Sequence, residues 1–223
     1  MSLPLTGPAR APASGGKATS LVVLLHGLGA DGQDLIDLAQ HLGPLLPDAA
    51  FVAPNAPERC DMGPYGYQWF SLQDRSPDVL AAGVDRSAPV LAQFIEGELA
   101  ARGLDASRLA LVGFSQGTMM SLHVGPRLDP GPAAIVGFSG RLIAPERLAA
   151  EKRSSPPILL IHGDADQVVP FQSMAAAVAG LAGAGIVADS LRRPGLGHGI
   201  DGPGLGAAAQ FLVKHLGVAP SQV

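Results

Sequence analysis

The stretch Leu109-Ala110-Leu111-Val112-Gly113-Phe114-Ser115-Gln116-Gly117 runs an apolar segment into a Gly-x-Ser-x-Gly pattern, and a helical pattern follows directly. This context is typical of a nucleophile elbow, a sharp turn that lifts a serine hydroxyl above a sheet. Glycine at positions 113 and 117 leaves room for the strand and the helix to close around Ser115. The pentapeptide alone is weak support in a chain with 29 Gly, so its surroundings must carry the inference.

Short β-like runs alternate with helical stretches through most of the chain. We predict strands at 20–26, 50–53, 108–113, 133–138, 157–162 and 186–191, and helices near 32–43, 78–102, 116–127, 170–183 and 204–216. Such alternation implies right-handed crossovers and a mostly parallel central sheet with helices on both faces. A run that is apolar throughout, such as 158–161, fits a strand buried on both faces.

The length of 223 residues favours a single domain. We place it at 20–218, after an irregular N-terminal arm or edge strands at 1–19. The segment 140–155 is too short for a large cap domain. The segment 55–78 is a long loop, and we expect its aromatic side chains either to anchor it to the core or to form a pocket wall. These side chains are Tyr65, Tyr67, Trp69 and Phe70.

Composition excludes several classes of protein. The longest strongly apolar run, Leu21 to Leu25, is too short to span a bilayer, and the N-terminus lacks the pattern of a signal peptide. A formal net charge of −4 provides no broad basic surface for nucleic acid. The single cysteine, Cys60, cannot form an internal disulfide, which agrees with a reducing compartment. We therefore expect a cytoplasmic protein that acts on a small molecule, without nucleic acid or integral membrane association.

If Ser115 is a nucleophile, an acid and then a histidine should follow it along the chain. The strand at 186–191 leads into Gly197-His198-Gly199, so His198 is the candidate general base. The strand at 157–162 leads to Asp164 and Asp166. Either carboxylate could accept a hydrogen bond from His198, and the spacing does not separate the two.

A developing oxyanion needs two backbone N–H donors. The amide of Gln116 follows the candidate nucleophile, and the segment His26-Gly27-Leu28-Gly29 should supply the second donor through Leu28. Trp69 and Met119 are candidate substrate-binding residues. Ser139 also follows a strand, but its surroundings lack the elbow pattern, so we assign it to loop structure.

The remaining histidines have other expected roles. His41, His123 and His215 fall on helical patterns, whereas His26 and His162 each precede a glycine at a strand end, where hydrogen bonding would stiffen a loop. No His-x-x-x-His or Cys-x-x-Cys spacing supports a metal site, and we expect no cofactor.

Taken together, five segments resemble the phospholipase/carboxylesterase family of α/β-hydrolases, which includes acyl-protein thioesterases and small bacterial esterases. They are His26 to Gly32, Trp69-Phe70, Gly113 to Gly117, His162 to Pro170 and Gly197-His198, and they span almost the whole chain in order. The resemblance implies an α/β-hydrolase fold without a large cap domain. It also makes Asp166 the catalytic acid and Leu28 and Gln116 the oxyanion donors.

The expected function is that of a serine carboxylesterase cleaving short- to medium-chain esters, and thioesters as well, through an acyl-enzyme. A lysophospholipase or acyl-protein thioesterase is the main alternative, and a non-catalytic binding protein of the same fold is a weaker one. The sequence Gly117-Thr118-Met119-Met120 is closer to bacterial esterases than to the Gly-Gly of eukaryotic members, which argues against protein depalmitoylation. Members of this family often form dimers, so the resemblance implies a homodimer.

Overall fold

A computed structural model describes residues 5–217. Its main feature is a seven-stranded sheet in the order β1-β3-β2-β6-β7-β8-β9, in which only β1 runs antiparallel to its neighbour. The strands of this sheet are β1 (Ala9–Arg10), β2 (Ser20–Leu25), β3 (Ala49–Val52), β6 (Leu109–Phe114), β7 (Ala134–Phe138), β8 (Ile158–Gly163) and β9 (Ala188–Arg193). A separate hairpin consists of β4 (Glu58–Arg59) and β5 (Tyr67–Gln68). The predicted parallel sheet is confirmed.

Seven α-helices cover the two faces of the sheet within the described chain. They are α1 (Gly32–Ile36), α2 (Leu38–Leu42), α3 (Pro77–Arg102), α4 (Gln116–Val124), α5 (Pro145–Glu151), α6 (Gln172–Gly183) and α7 (Gly202–Leu216). Side chains of α3 to α6 pack on one face, and those of α1, α2 and α7 pack on the other. No helix within residues 5–217 combines the length and apolar character needed to cross a bilayer.

The central strands are buried on both sides, as their composition predicts. Along β2, Leu21, Val23 and Leu25 join the apolar cluster on one face, while Val22 and Leu24 join the other. This is the two-residue alternation of an extended chain. The carboxyl ends of the parallel strands therefore form one rigid edge, on which loops can hold side chains in fixed positions.

Most predicted boundaries lie within two residues of the observed ones, and three of the differences have an identifiable local cause. The helix expected at 32–43 divides at Asp37, whose side chain accepts a hydrogen bond from the Gln40 carboxamide and whose carbonyl accepts from the Gln40 amide. Aspartate is a poor residue for a helix interior because it bonds locally. The helix expected to reach residue 127 ends at Val124, and a 3₁₀ turn containing Pro126 follows it.

The last strand begins two residues later than predicted. Helix α6 ends in a Schellman motif, in which Ile186 donates to the carbonyl of Leu181 and Gly185, with φ +69°, donates to that of Ala182. Ile186 is buried and belongs to the helix cap. The strand therefore runs from Ala188 to Arg193, at the edge of the sheet.

The expected arm and domain bounds extend past the described residues, since 1–4 and 218 lie outside them. Within the arm, β1 pairs Ala9 with Val52 as a short edge strand. Segment 55–78 holds the β4–β5 hairpin, with Trp69 and Phe70 fully buried and Tyr65 exposed. Between β7 and β8 there is one α-helix, the seven-residue α5.

Candidate active site

Ser115 occupies a sharp turn between β6 and α4. Its φ of 53° lies in the left-handed region, which is rare for a residue with a side chain and is typical of strain at a functional site. The Ser115 amide donates to the carbonyl of Phe138 on the neighbouring strand, which fixes the turn. A Cβ at position 117 would collide with the carbonyl of Leu25, and one at 113 would collide with the backbone of α4. Both glycines are therefore required for the close approach of β2, β6 and α4.

His198 and Asp166 meet beside this turn. The Nδ1 atom of His198 lies 2.7 Å from Oδ2 of Asp166, and the Asp166 side chain is fully buried. Because a carboxylate only accepts, Nδ1 carries the proton and Nε2 is left as an acceptor. Ser115 and His198 line the same cavity. Both are described residues, and their side chains do not form a hydrogen bond with each other. This bond is often long in ligand-free enzymes.

Further donors stabilise the ionised form of Asp166. Burial opposes its ionisation, but hydrogen bonds from His198 and from the amides of Val169 and Val168 outweigh that effect and lower the pKa of the carboxyl. The two amides donate to Oδ1 at 2.9 and 2.8 Å. The Nε2 atom of His162 lies 3.2 Å from Oδ2. Asp166 is thus held as an anion directly behind His198.

Asp164, the alternative acid, lies elsewhere. It accepts from Arg192 at 2.8 Å and from the Gly195 amide at 2.7 Å. These bonds attach β9 and the following loop to the end of β8. Asp164 therefore holds the loop that leads to His198, whereas Asp166 contacts the imidazole itself.

Two other histidines make hydrogen bonds within loops, as their position before a glycine suggests. Nδ1 of His26 lies 2.7 Å from the Gly27 carbonyl and Nε2 accepts from the Ala56 amide at 3.0 Å, so this ring is neutral with its proton on Nδ1. Burial lowers the pKa of His26 and favours the same state. Nε2 of His162 lies 2.9 Å from the Val169 carbonyl.

Two amides close to the candidate nucleophile in the sequence or along the cavity wall have no acceptor among the described residues. Gln116 is the first residue of α4, and the first N–H groups of a helix have no intrahelical acceptor. In the loop after β2, the amides of Gly29 and Ala30 donate to carbonyls at 2.8 and 3.4 Å, and no backbone bond uses the Leu28 amide. Leu28 also lines the cavity.

The side chain of Gln116 joins α4 to segment 55–78, which we call the aromatic loop. Its Oε1 accepts from the Trp69 amide at 2.9 Å, and its Nε2 donates to the Phe70 carbonyl at 2.6 Å. The indole of Trp69 donates to the His26 carbonyl at 3.0 Å. Trp69 is fully buried and is not among the residues that line the cavity, and its hydrogen bonds join the loop after β2 to α4.

The cavity at the serine has a volume of about 250 Å³. Met119, the other candidate substrate-binding residue, lies on its wall. The lining residues are Gly27, Leu28, Leu72, Arg75, Leu80, Phe114, Ser115, Met119, Arg141, Val168, Val169, Pro170 and His198. Sequence reasoning missed both arginines. Arg141 follows the carboxyl end of β7 and could have been found from that position, since ligands bind beyond the carboxyl ends of parallel strands. Arg75 carries no comparable signal.

A strained turn between an inner strand and a helix, with the order serine, aspartate, histidine along the chain, defines an α/β-hydrolase. A family model described as Phospholipase/Carboxylesterase matches residues 9–216, and the chain belongs to this family. It is therefore a hydrolase, and the predicted fold class is confirmed.

Known proteins of similar sequence and structure agree with this assignment. Esterase YpfH of Escherichia coli is 32% identical over 202 residues, which cover 89% of this chain and 82% of that protein. Acyl-protein thioesterase 1 homolog 1 of Dictyostelium discoideum is 28% identical, with coverage of 89% and 91%. The crystal structure of esterase PE8 superposes with a TM-score of 0.90 at 46% identity, over 96% of this chain and all of that one.

Proposed function

We propose that the protein is a serine carboxylesterase in which Ser115, His198 and Asp166 act as nucleophile, general base and orienting acid. The observation that carries the proposal is the 2.7 Å bond that holds His198 between buried Asp166 and the cavity containing Ser115. His198 takes the hydroxyl proton as Ser115 attacks the ester carbonyl, and Asp166 stabilises the imidazolium that forms. The alcohol leaves with that proton, and water activated by His198 then releases the acid from the acyl-enzyme.

The amides of Leu28 and Gln116 are the proposed oxyanion donors. Their lack of acceptors among the described residues supports this role, because both remain available when the carbonyl oxygen becomes negative. Each donor of this kind contributes about 3 kcal/mol to lowering the barrier. Trp69 and the Gln116 side chain hold these amides in place through hydrogen bonds to His26 and the aromatic loop.

The proposed substrates are esters and thioesters with short to medium acyl chains. A cavity of about 250 Å³ suits a chain of limited length, and relatives named as an esterase and an acyl-protein thioesterase support both leaving groups. We place the protein in the cytoplasm, where the single Cys60 would stay reduced.

The test is a chain-length series of aryl esters and matching thioesters, assayed with the wild type and Ser115→Ala. We expect kcat to fall by about 10⁶-fold in the variant, and labelling by a fluorophosphonate to disappear. Wild-type turnover in Ser115→Ala would overturn the mechanism. A sharp rise in rate above the micellar threshold of a long-chain substrate would favour a lipase or lysophospholipase. A folded wild type that neither hydrolyses any ester nor reacts with the probe would indicate a binding protein.

A further inference from the structure

The cavity that contains Ser115 is positively charged although the chain as a whole carries a formal charge of −4. Arg75 and Arg141 both contribute to its lining, and none of the described lining residues is an aspartate or glutamate. The proposed mechanism for a plain aliphatic ester assigns no role to a guanidinium group in this cavity. The pair therefore calls for an explanation in the chemistry of the substrate.

Arg141 has no partner for its charge within residues 5–217. Its guanidinium takes part in none of their hydrogen bonds or ion pairs, although the residue is half-buried. Burial and the nearby charge of Arg75 both lower the pKa of Arg141, and no carboxylate counteracts them. A partly buried cation without an anionic partner is unfavourable.

Arg75 resembles Arg141 in having no anionic partner among the described residues. Its Nε donates to the Leu72 carbonyl at 3.3 Å, and the residue is exposed and lines the cavity. Among the other described arginines whose guanidinium donates a hydrogen bond, most also form an ion pair with a carboxylate. The ion-paired ones are Arg102, Arg127, Arg147, Arg192 and Arg193. Other described arginines also lack a carboxylate partner, but each of them is exposed or donates to a backbone carbonyl. Arg141 is the one described arginine that is half-buried and makes neither a hydrogen bond nor an ion pair.

The backbone that carries Arg141 is fixed. Ser139 has φ 48° and donates its amide to the Ile161 carbonyl, and a Cβ at Gly140 would collide with Thr118 of α4. The turn after β7 is therefore packed between β8 and the helix that follows the nucleophile. It holds Arg141 at a constant position relative to Ser115.

We propose that the substrate carries a second, anionic group, a carboxylate or a phosphate, which Arg75 and Arg141 bind while Ser115 attacks the ester. A guanidinium presents parallel N–H donors that match the oxygens of either anion. Leu72, Leu80 and Met119 line the same cavity and would contact an apolar stem between the ester and the charge. This inference rests on the proposed function and narrows its substrate class to esters of mixed apolar and anionic character.

The test compares esters that carry an anionic group with similar esters that do not. On the acyl side, para-nitrophenyl hemiadipate is paired with para-nitrophenyl hexanoate. On the leaving-group side, para-acetoxybenzoate is paired with its methyl ester, and para-acetoxyphenyl phosphate is paired with phenyl acetate. The measured quantity is the ratio of kcat/KM between the charged and the uncharged member of each pair, at low and at high salt.

In at least one pair we expect the wild type to prefer the anionic ester, and that pair identifies the position and the kind of the anion. Arg141→Gln and Arg75→Gln should each lower the ratio by about tenfold to a hundredfold, the effect of losing charge-assisted hydrogen bonds. Salt should reduce the wild-type preference. Arg86→Gln is the control. Arg86 is exposed on α3 and does not line the cavity, and its substitution changes the net charge by the same amount as Arg141→Gln or Arg75→Gln.

Absence of any preference in the wild type, or a ratio that neither arginine substitution changes, would overturn the inference. The proposed function would survive that result as long as Ser115→Ala abolishes turnover of the uncharged esters. Because Arg75 is exposed on a loop, Arg75→Gln keeps the test available if Arg141→Gln fails to fold.

Discussion

Asp164 and Asp166 are two residues apart on one loop but hold different partners. Asp166 accepts from His198 in a fully buried position, whereas Asp164 accepts from Arg192 and Gly195 at the surface. We predict that Asp166→Asn lowers kcat by about 10⁴-fold, because an amide no longer fixes the tautomer of His198. The matched control Asp164→Asn should change kcat far less and act on the stability of the loop. Equal losses of kcat in the two variants would contradict the assignment.

At this scale the sequence predicts residue types better than their contacts. Ser115 and His198 stand out because glycines and strand ends surround them. Spacing alone does not separate Asp164 from Asp166, because the path of a loop is set by tertiary hydrogen bonds rather than by periodicity. Trp69 could serve as an anchor or as a pocket wall for the same reason, and its burial places it behind the site.

Among the secondary-structure elements, the contact of α4 with β2 depends on a missing side chain. A methyl group at position 117 would collide with the Leu25 carbonyl, which is backbone and cannot move away without disturbing the sheet. We predict that Gly117→Ala destabilises the fold by about 3 kcal/mol or more, the upper range for overpacking. Gly97→Ala is the control, since Gly97 is exposed on α3 and a Cβ there would meet nothing within 4 Å.

Thermal unfolding of both variants checks this prediction. Gly97→Ala should raise stability by roughly 0.5 to 1 kcal/mol, because alanine is the better residue in a helix interior. A Gly117→Ala protein as stable as the wild type would show that β2 and α4 can separate at little cost.

Most elements could be predicted to within a residue or two, because strands such as Ile158–Gly163 are apolar throughout and helices such as Pro77–Arg102 are long. The exceptions arise where local hydrogen bonds compete with periodicity. Asp37 divides a helix, and the cap formed by Gly185 and Ile186 delays β9. A glycine followed by an apolar residue is a known cap pattern, so the second exception could have been foreseen.

For the whole molecule, acid sensitivity should depend on His123, a buried histidine that does not line the cavity. Burial lowers the pKa of His123 to about 4, the charge of Arg127 acts in the same direction, and Asp85 at 3.5 Å opposes them. Arg147 and Glu151 also face this ring, with opposing effects on it. An unfolded histidine binds a proton near pH 6.5, whereas the folded one stays neutral. Stability should therefore fall as pH decreases from about 6.5 to 4.

The expected loss is roughly 2 to 3 kcal/mol. Denaturant unfolding across this range, with wild type and His123→Leu, measures it, and the variant should show a smaller slope of unfolding free energy against pH whatever its absolute stability. The same substitution at exposed His41 should retain the wild-type slope. If His123→Leu also retains it, the acid sensitivity arises from other groups.

The carboxamide of Gln116 couples helix α4 to the aromatic loop. It offers one acceptor and one donor to two consecutive residues of the aromatic loop, as a neighbouring strand would. A glutamate, an alanine or a methionine at this position could satisfy only one of these bonds or neither. Anyone who transplants that loop between relatives to alter selectivity would therefore have to transfer the glutamine with it, since loop and helix form one exchangeable module.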